Sequence, residues 1–270
     1  MTKANSTARI REARTERSRG AASTALVRKL YANPLSGEAI EALSFAAIER
    51  EAKAHSFTAG QWQVVRRMIH STADFGLLDE TRFSPDAINC GIQALRAGRP
   101  IYADSNMIRA GLSLARLRAV CASYGQRSVF CHVADEDLAN EARAAGLPRA
   151  LFAVRKAKSM LEGAIVLFGN SPVGLLELNR LIIEENLRPA LVVAMPVGFV
   201  HVVESKQELM SLPVPFVALA GRRGGSPLAV SVLHALAALA CSEPGRARPE
   251  SGPGAVRSQP RGGHSGRREG

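Results

Sequence analysis

From residue 101 onward the chain carries five short apolar runs, at 101–103, 129–133, 164–168, 190–194 and 216–219. Segments with helical patterning separate them, at about 106–118, 136–161, 172–186, 203–210 and 227–241. None of the runs alternates polar with apolar residues, and a strand that is apolar at every position must be covered on both faces. Strands regularly followed by helices imply parallel pairing, because each return crossover needs an element of its own. The expected fold is therefore α/β: a mostly parallel sheet of about five strands with helices on both faces, preceded by N-terminal helices. Ligands of such sheets bind beyond the carboxyl ends of the strands. Those ends carry Asp104-Ser105-Asn106, Gly169-Asn170-Ser171-Pro172, Met195-Pro-Val-Gly-Phe-Val200 and Gly221-Arg-Arg-Gly-Gly-Ser-Pro227. In the last of these, two guanidinium groups precede a helix start, which suits a carboxylate and equally describes an ordinary strand-to-helix turn. Ser105 and Asn106 read as a cap for the next helix.

Ahead of the sheet, Ser36 caps a helix running to about His55, with Ile40, Leu43, Ala47 and Ile48 on its buried face. Thr58 and Gln61 form a capping box for a second helix, which starts near Ala59, buries Trp62, Val65, Met68 and Ile69, and ends close to His70. Ser84-Pro85-Asp86 opens a third, with Ser as cap and Pro in the first turn, that ends at Gly98.

A net charge of +11 suggests a nucleic-acid partner until it is divided along the chain: residues 1–30 carry +6 and residues 243–270 carry +3, which leaves +2 for the middle. No basic groove on the folded part is implied, so nucleic acid is not expected as a partner. The chain divides into a disordered basic tail (1–30), a single α/β domain (31–242) and a disordered Pro/Gly/Arg-rich tail (243–270) with too few large apolar residues for a core. With 46% hydrophobic residues in 270, one substantial core is available, and no apolar run is long enough to span a membrane. The basic start lacks the apolar segment of a secretory signal, although its Arg- and Ser-bearing composition has a faint likeness to a transit peptide. Cys90, Cys121, Cys131 and Cys241 show no metal-ligand spacing and read as unbridged thiols of a reducing compartment, so the expected location is cytoplasmic.

Met68-Ile-His-Ser-Thr-Ala-Asp-Phe75 concentrates chemistry: an imidazole at a helix C-terminus, then small hydroxyls and a carboxylate. Backbone carbonyls at that end favour a protonated imidazole, which suits a group that donates a proton near neutral pH. A lone histidine closing a helix is more often a packing residue, and the hydroxyls and carboxylate that follow His70 shift that balance; His132, His201 and His234, which lack partner spacing, are read as core or surface residues.

This stretch, together with Arg82-Phe-Ser-Pro-Asp, Gly98-Arg-Pro-Ile-Tyr-Ala-Asp104, Met107-Ile-Arg-Ala-Gly111, Gly169-Asn-Ser-Pro, Met195-Pro-Val-Gly-Phe-Val, Glu204-Ser-Lys and Gly221-Arg-Arg-Gly-Gly-Ser226, resembles the precorrin-8X (cobalt-precorrin-8) methylmutases from about Ala39 to Leu239. The resemblance implies a homodimeric isomerase of corrin-ring biosynthesis that needs no cofactor and no protein-bound metal. Such an enzyme moves a methyl group between neighbouring ring carbons to give hydrogenobyrinate or its cobalt counterpart. His70 matches the family's catalytic histidine, which protonates the ring system and assists a sigmatropic shift. One placed acid and a shaped pocket suffice for a rearrangement within a bound macrocycle. Ser44 matches a substrate-binding serine, and Arg149 an arginine that the family holds in Thr-Arg-Ser; here the segment reads Pro148-Arg149-Ala150, which keeps the guanidinium that suits ring carboxylates and drops both hydroxyls. Asp104, Asn170, Phe199 and Arg222 complete the expected substrate-binding set, with Phe199 offering apolar surface to the flat corrinoid. The altered segment leaves a second reading open, a paralogue that holds or hands on the corrinoid without turning it over.

Overall fold

A computed structural model describes residues 26–242; the two tail assignments lie outside it except at residues 26–30. There, helix α1 (Leu26–Ala32) occupies the end of the stretch assigned to the basic tail. Next come α2 (Gly37–Glu51), α3 (Ala59–Thr72), α4 (Leu77–Glu80), strand β1 (Thr81–Phe83) and α5 (Ala87–Arg96). The repeating part follows: β2 (Ile101–Ala103), α6 (Asn106–Gly111), α7 (Leu114–Val120), β3 (Val129–Phe130), α8 (Glu136–Ala145), α9 (Arg149–Leu161), β4 (Ile165–Phe168), α10 (Pro172–Glu185), β5 (Leu191–Ala194), α11 (Val202–Ser211), β6 (Phe216–Leu219) and α12 (Ser226–Ser242).

The sheet has six strands in the order β1-β6-β5-β4-β2-β3, and β2 to β6 are parallel as expected. Each central strand is buried at every position. Alternate residues face two cores: Ile165, Leu167, Leu191, Val193, Val217 and Leu219 pack with α3, α5 and α12, whereas Val166, Phe168, Val192, Ala194 and Ala218 pack with α9, α10 and α11. That double covering is what the unalternating sequence requires. Helix α12 is apolar nearly all round because it lies inside the first layer, with Leu228, Val232, Leu233 and Leu236 buried.

Several expectations need correction. Strand β1 was not expected; it pairs antiparallel with β6, Thr81 opposite Leu219 and Phe83 opposite Val217. Three residues are too few to show a period. Ser84 does not cap α5. Its hydroxyl accepts from the Phe216 amide at 2.9 Å, extending the β1–β6 contact, and Asp86 is the N-cap residue. Segment 136–161 is two helices, parted where Gly146 takes the left-handed conformation (φ 64°) and Pro148 starts α9. Segment 106–118 divides at Ser113, whose hydroxyl caps α7. Strand β3 stops at Phe130 rather than Val133, pairing with β2 only at Ile101 and Tyr102. Helix α2 ends at Glu51, and of its four expected buried residues only Ile48 reaches the core; Ile40 and Leu43 remain 50% and 59% exposed.

The candidate active site at the strand ends

The loops after β2, β4, β5 and β6 meet at the carboxyl edge of the sheet. Asp104, just past β2, is buried, and its two oxygens accept the amides of Gly169 (3.1 Å), Asn170 (2.8 Å) and Ser171 (2.7 Å) past β4. Burial pushes this carboxyl up, and the three N–H donors oppose that shift. Its acceptors are therefore turned to the loop that carries Asn170, not to a ligand. Ser105 caps α6 as expected, and its hydroxyl meets that of Ser226 at the start of α12. Gly169 lies against the Ser226 backbone so closely that a Cβ would come within 2.6 Å of Ser226 Cα. Gly224 is as constrained, since a Cβ there would lie 2.3 Å from the Met195 carbonyl oxygen. Only glycine permits these approaches.

His70 reaches this edge from the C-terminus of α3. Past it the chain turns through Ala73 in the left-handed region (φ 54°), whose amide caps on the Ile69 carbonyl. Two links tie the turn to the 221–225 loop and to α12. The Arg223 guanidinium pairs with Asp74 and with Glu80 (2.7 Å), and the Ser71 hydroxyl meets that of Ser231 on α12 at 2.7 Å. The His70 ring is half-buried, tilted against Phe45 of α2 with centroids 5.2 Å apart. Around Phe45 stand the guanidinium groups of Arg66 and Arg67, and Arg67 pairs with Glu41 at 3.0 Å. Arg67 and Arg116, with His70, help hold the Glu41 carboxyl below the usual range against its burial.

Of the remaining sequence-derived site residues, Ser44 adjoins Phe45, and its hydroxyl donates to the Ile40 carbonyl within α2. Arg149 is exposed at the first turn of α9, beside Ala150, whose carbonyl lies close to Gly174 in the first turn of α10. Phe199 is 83% exposed, and the exposed Arg222 places its guanidinium 5.7 Å from that ring's centroid. Phe199 and Arg222 thus stand together, Asn170 is held with Asp104, and the turn after His70 is joined to the loop of Arg222 through Asp74 and Arg223. Ser44 bonds within α2, and Arg149 lies at the head of α9 beside the first turn of α10. Among the described residues no three His, Cys, Asp or Glu side chains cluster to hold a metal ion.

Residues 39–239 match the family model described as precorrin-8X methylmutase. The cobalt-precorrin-8 methylmutase of Leptospira interrogans is 43% identical over 208 residues, 74% of this chain and 92% of the relative. The chain belongs to the precorrin-8X methylmutase family. The precorrin-8X methylmutase of Pseudomonas aeruginosa is 36% identical, with 74% of this chain and 95% of that protein covered. The crystal structure of the Thermus thermophilus precorrin-8X methylmutase superposes with a TM-score of 0.69 at 46% identity, covering 76% of this chain and 97% of that one. The methylmutase family consists of isomerases of cobalamin biosynthesis that catalyse methyl migration, and membership supports the isomerase reading over the carrier.

Two groups of this methylmutase were missed. Arg223, read as a possible ligand group, is committed to Asp74 and Glu80. Lys206, seen only as part of a motif, is fully buried, with its ammonium on the carbonyls of Gly221 and Arg223. A signal was available: Val202, Ser205, Lys206 and Leu209 form the buried stripe of α11, and a lysine on such a stripe needs a polar partner.

Proposed function

We propose that this chain catalyses methyl migration in precorrin-8X or cobalt-precorrin-8, with His70 giving a proton to the bound ring system and taking one back as the conjugation changes. The observation that carries the assignment is the placement of His70 at the carbonyl end of α3, half-buried against Phe45 and tied through Asp74 and Arg223 to the strand-end loops. A flat ring held there meets apolar surface at Phe199 and cationic groups at Arg222 and Arg149 for its acetate and propionate rim, with Ser44 and Asn170 as hydrogen-bonding groups. Asp104 serves the substrate by fixing the Asn170 loop.

The domain spans residues 31–242, and its working form is a homodimer in the cytoplasm. Support for the dimer is the apolar surface that α1 and α2 leave uncovered, including Leu26, Leu30, Tyr31, Ile40 and Leu43. Support for the compartment is that no disulfide joins Cys90, Cys121, Cys131 and Cys241. No helix among the described residues is long and apolar enough to cross a membrane.

The test is to incubate the protein with metal-free precorrin-8X and separately with the cobalt form, following the visible spectrum and the product. A shift to the conjugation of hydrogenobyrinate or its cobalt counterpart is expected, and tight binding with an unchanged spectrum would overturn the assignment. His70→Ala is expected to bind the ring and lose 10²-fold or more in kcat, the usual worth of a placed general acid being about 10²–10⁴-fold. Near-normal turnover in that variant would remove His70 from the chemistry.

A further inference from the structure

Lysine is almost never fully buried, because its chain normally carries the ammonium out to water. Lys206 is 0% exposed, inside the layer between α11 and the sheet. Its Nζ donates to the Gly221 carbonyl at 3.0 Å and to the Arg223 carbonyl at 2.7 Å, the carbonyls of the two residues on either side of Arg222. With both flanking carbonyls drawn inward, Arg222 is left on the outside of the turn, exposed, its guanidinium beside the Phe199 ring. The Arg222 carbonyl accepts from the Gly198 amide (3.2 Å) and the Gly225 amide donates to the Met195 carbonyl (2.7 Å), so loops 195–200 and 221–225 share one geometry. Arg223 extends that geometry to Asp74 and Glu80 at the foot of the His70 helix.

We infer that Lys206 is a positioning residue for the methylmutase: by gripping the carbonyls of Gly221 and Arg223, the neighbours of Arg222, it fixes where that guanidinium and Phe199 stand relative to the His70 turn. The inference rests on the reading that Arg222 meets a carboxylate of the ring. Lys206 touches no substrate itself and acts through the loop. Burial pulls its ammonium down to about 8, opposed by Glu80, so at neutral pH the charged, three-donor form makes the grip.

A merely structural lysine and a positioning lysine separate in the Lys206→Met variant. Met fills the volume of the lysine stem but leaves the Gly221 and Arg223 carbonyls without their donor, so the fold is expected to be kept with a modestly lower Tm. The KM for precorrin-8X and the Kd for the stable product hydrogenobyrinate are expected to rise about tenfold, the worth of one charge-assisted contact, with kcat within about threefold. Lys206→Gln, which keeps an amide donor on a shorter chain, is expected to fall between. Arg222→Ala should raise KM similarly, and the double variant should be no worse than Arg222→Ala alone, the coupling expected of residues acting through one group. The inference is overturned if Lys206→Met or Lys206→Gln folds and keeps the wild-type KM and Kd, if the two losses multiply, or if Arg222→Ala leaves Kd unchanged. In each of these cases wild-type turnover stands, whereas an inert wild-type protein would sink the proposed activity instead.

Discussion

His234 shows how much a single side chain depends on where it lands. Its Nε2 accepts the Ser113 amide at 3.0 Å, so the ring is a neutral acceptor joining α12 to the start of α7. Burial, with repulsion from Arg116 and Arg67, pulls its pKa down to about 4. An unfolded chain protonates this residue near pH 6.5. Between pH 6.5 and 4 the unfolded state therefore holds a proton that the folded state does not, and stability falls as the pH drops through that window. After a discount for partial exposure the loss is roughly 2 kcal/mol. Urea unfolding of the wild type should show this acid limb, and His234→Gln, which keeps an acceptor without the titration, should flatten it. An unchanged limb in the variant would assign the acid sensitivity to other groups. In the sequence His234 could be read only as core or surface, because its partner Ser113 lies 121 residues away.

At the scale of elements, boundaries followed local chemistry where caps were strong. The Thr58 and Gln61 capping box starts α3 as read, and Ser36, Ser105 and Ser171 each accept an amide at the head of their helices. Ends were harder to read, since α3 runs two residues past His70 and stops at Ala73 in a conformation that costs a residue with a Cβ about 1–2 kcal/mol. Ala73→Gly is expected to stabilise the fold by about 0.5–1 kcal/mol once the added freedom of the unfolded chain is set against the relief. In a domain of this size that is a Tm rise of about 1–4 °C in calorimetry. A lower Tm would show that the Ala73 methyl contributes packing that outweighs the strain. Ser84 illustrates the opposite case: by sequence it is a good cap, yet the β1–β6 edge offers its hydroxyl a backbone amide that needs an acceptor, and the sheet takes it.

For the whole molecule, the sheet's two faces are covered but α1 and the N-terminal half of α2 are not. Leu26, Tyr31 and Leu43 are 75%, 78% and 59% exposed, and with Leu30 and Ile40 they are exposed apolar side chains of the kind that an interface covers. Sedimentation equilibrium is expected to give a dimer for the wild type, and Leu30→Asp combined with Leu43→Asp is expected to give a monomer with the same far-UV spectrum, because both side chains already lie outside the core. A wild-type monomer would overturn the dimer. The position of His70 next to Phe45 places this surface close to the candidate site, so substrate affinity in the double variant reports whether dimerisation shapes the pocket.

What the sequence determined by itself was whatever is written at short range: the unalternating strands that demand a doubly covered parallel sheet, the caps that start the helices, and the motifs, His70 among them, that carry the family likeness. Tertiary structure decided what depends on partners distant in the chain. It turned Asp104 toward the amides of 169–171, committed Arg223 to Asp74 and Glu80, and buried Lys206 beneath loop 221–225. It also added β1, whose three residues have no period of their own and become a strand only beside β6. The physical reason is that a hydrogen bond or ion pair takes its identity from the group opposite: for Asp104, Arg223 and β1 that group lies at least 65 residues away, beyond any local pattern, whereas for Lys206 the helical stripe signals burial and only the packing of the 221–225 loop supplies the partners.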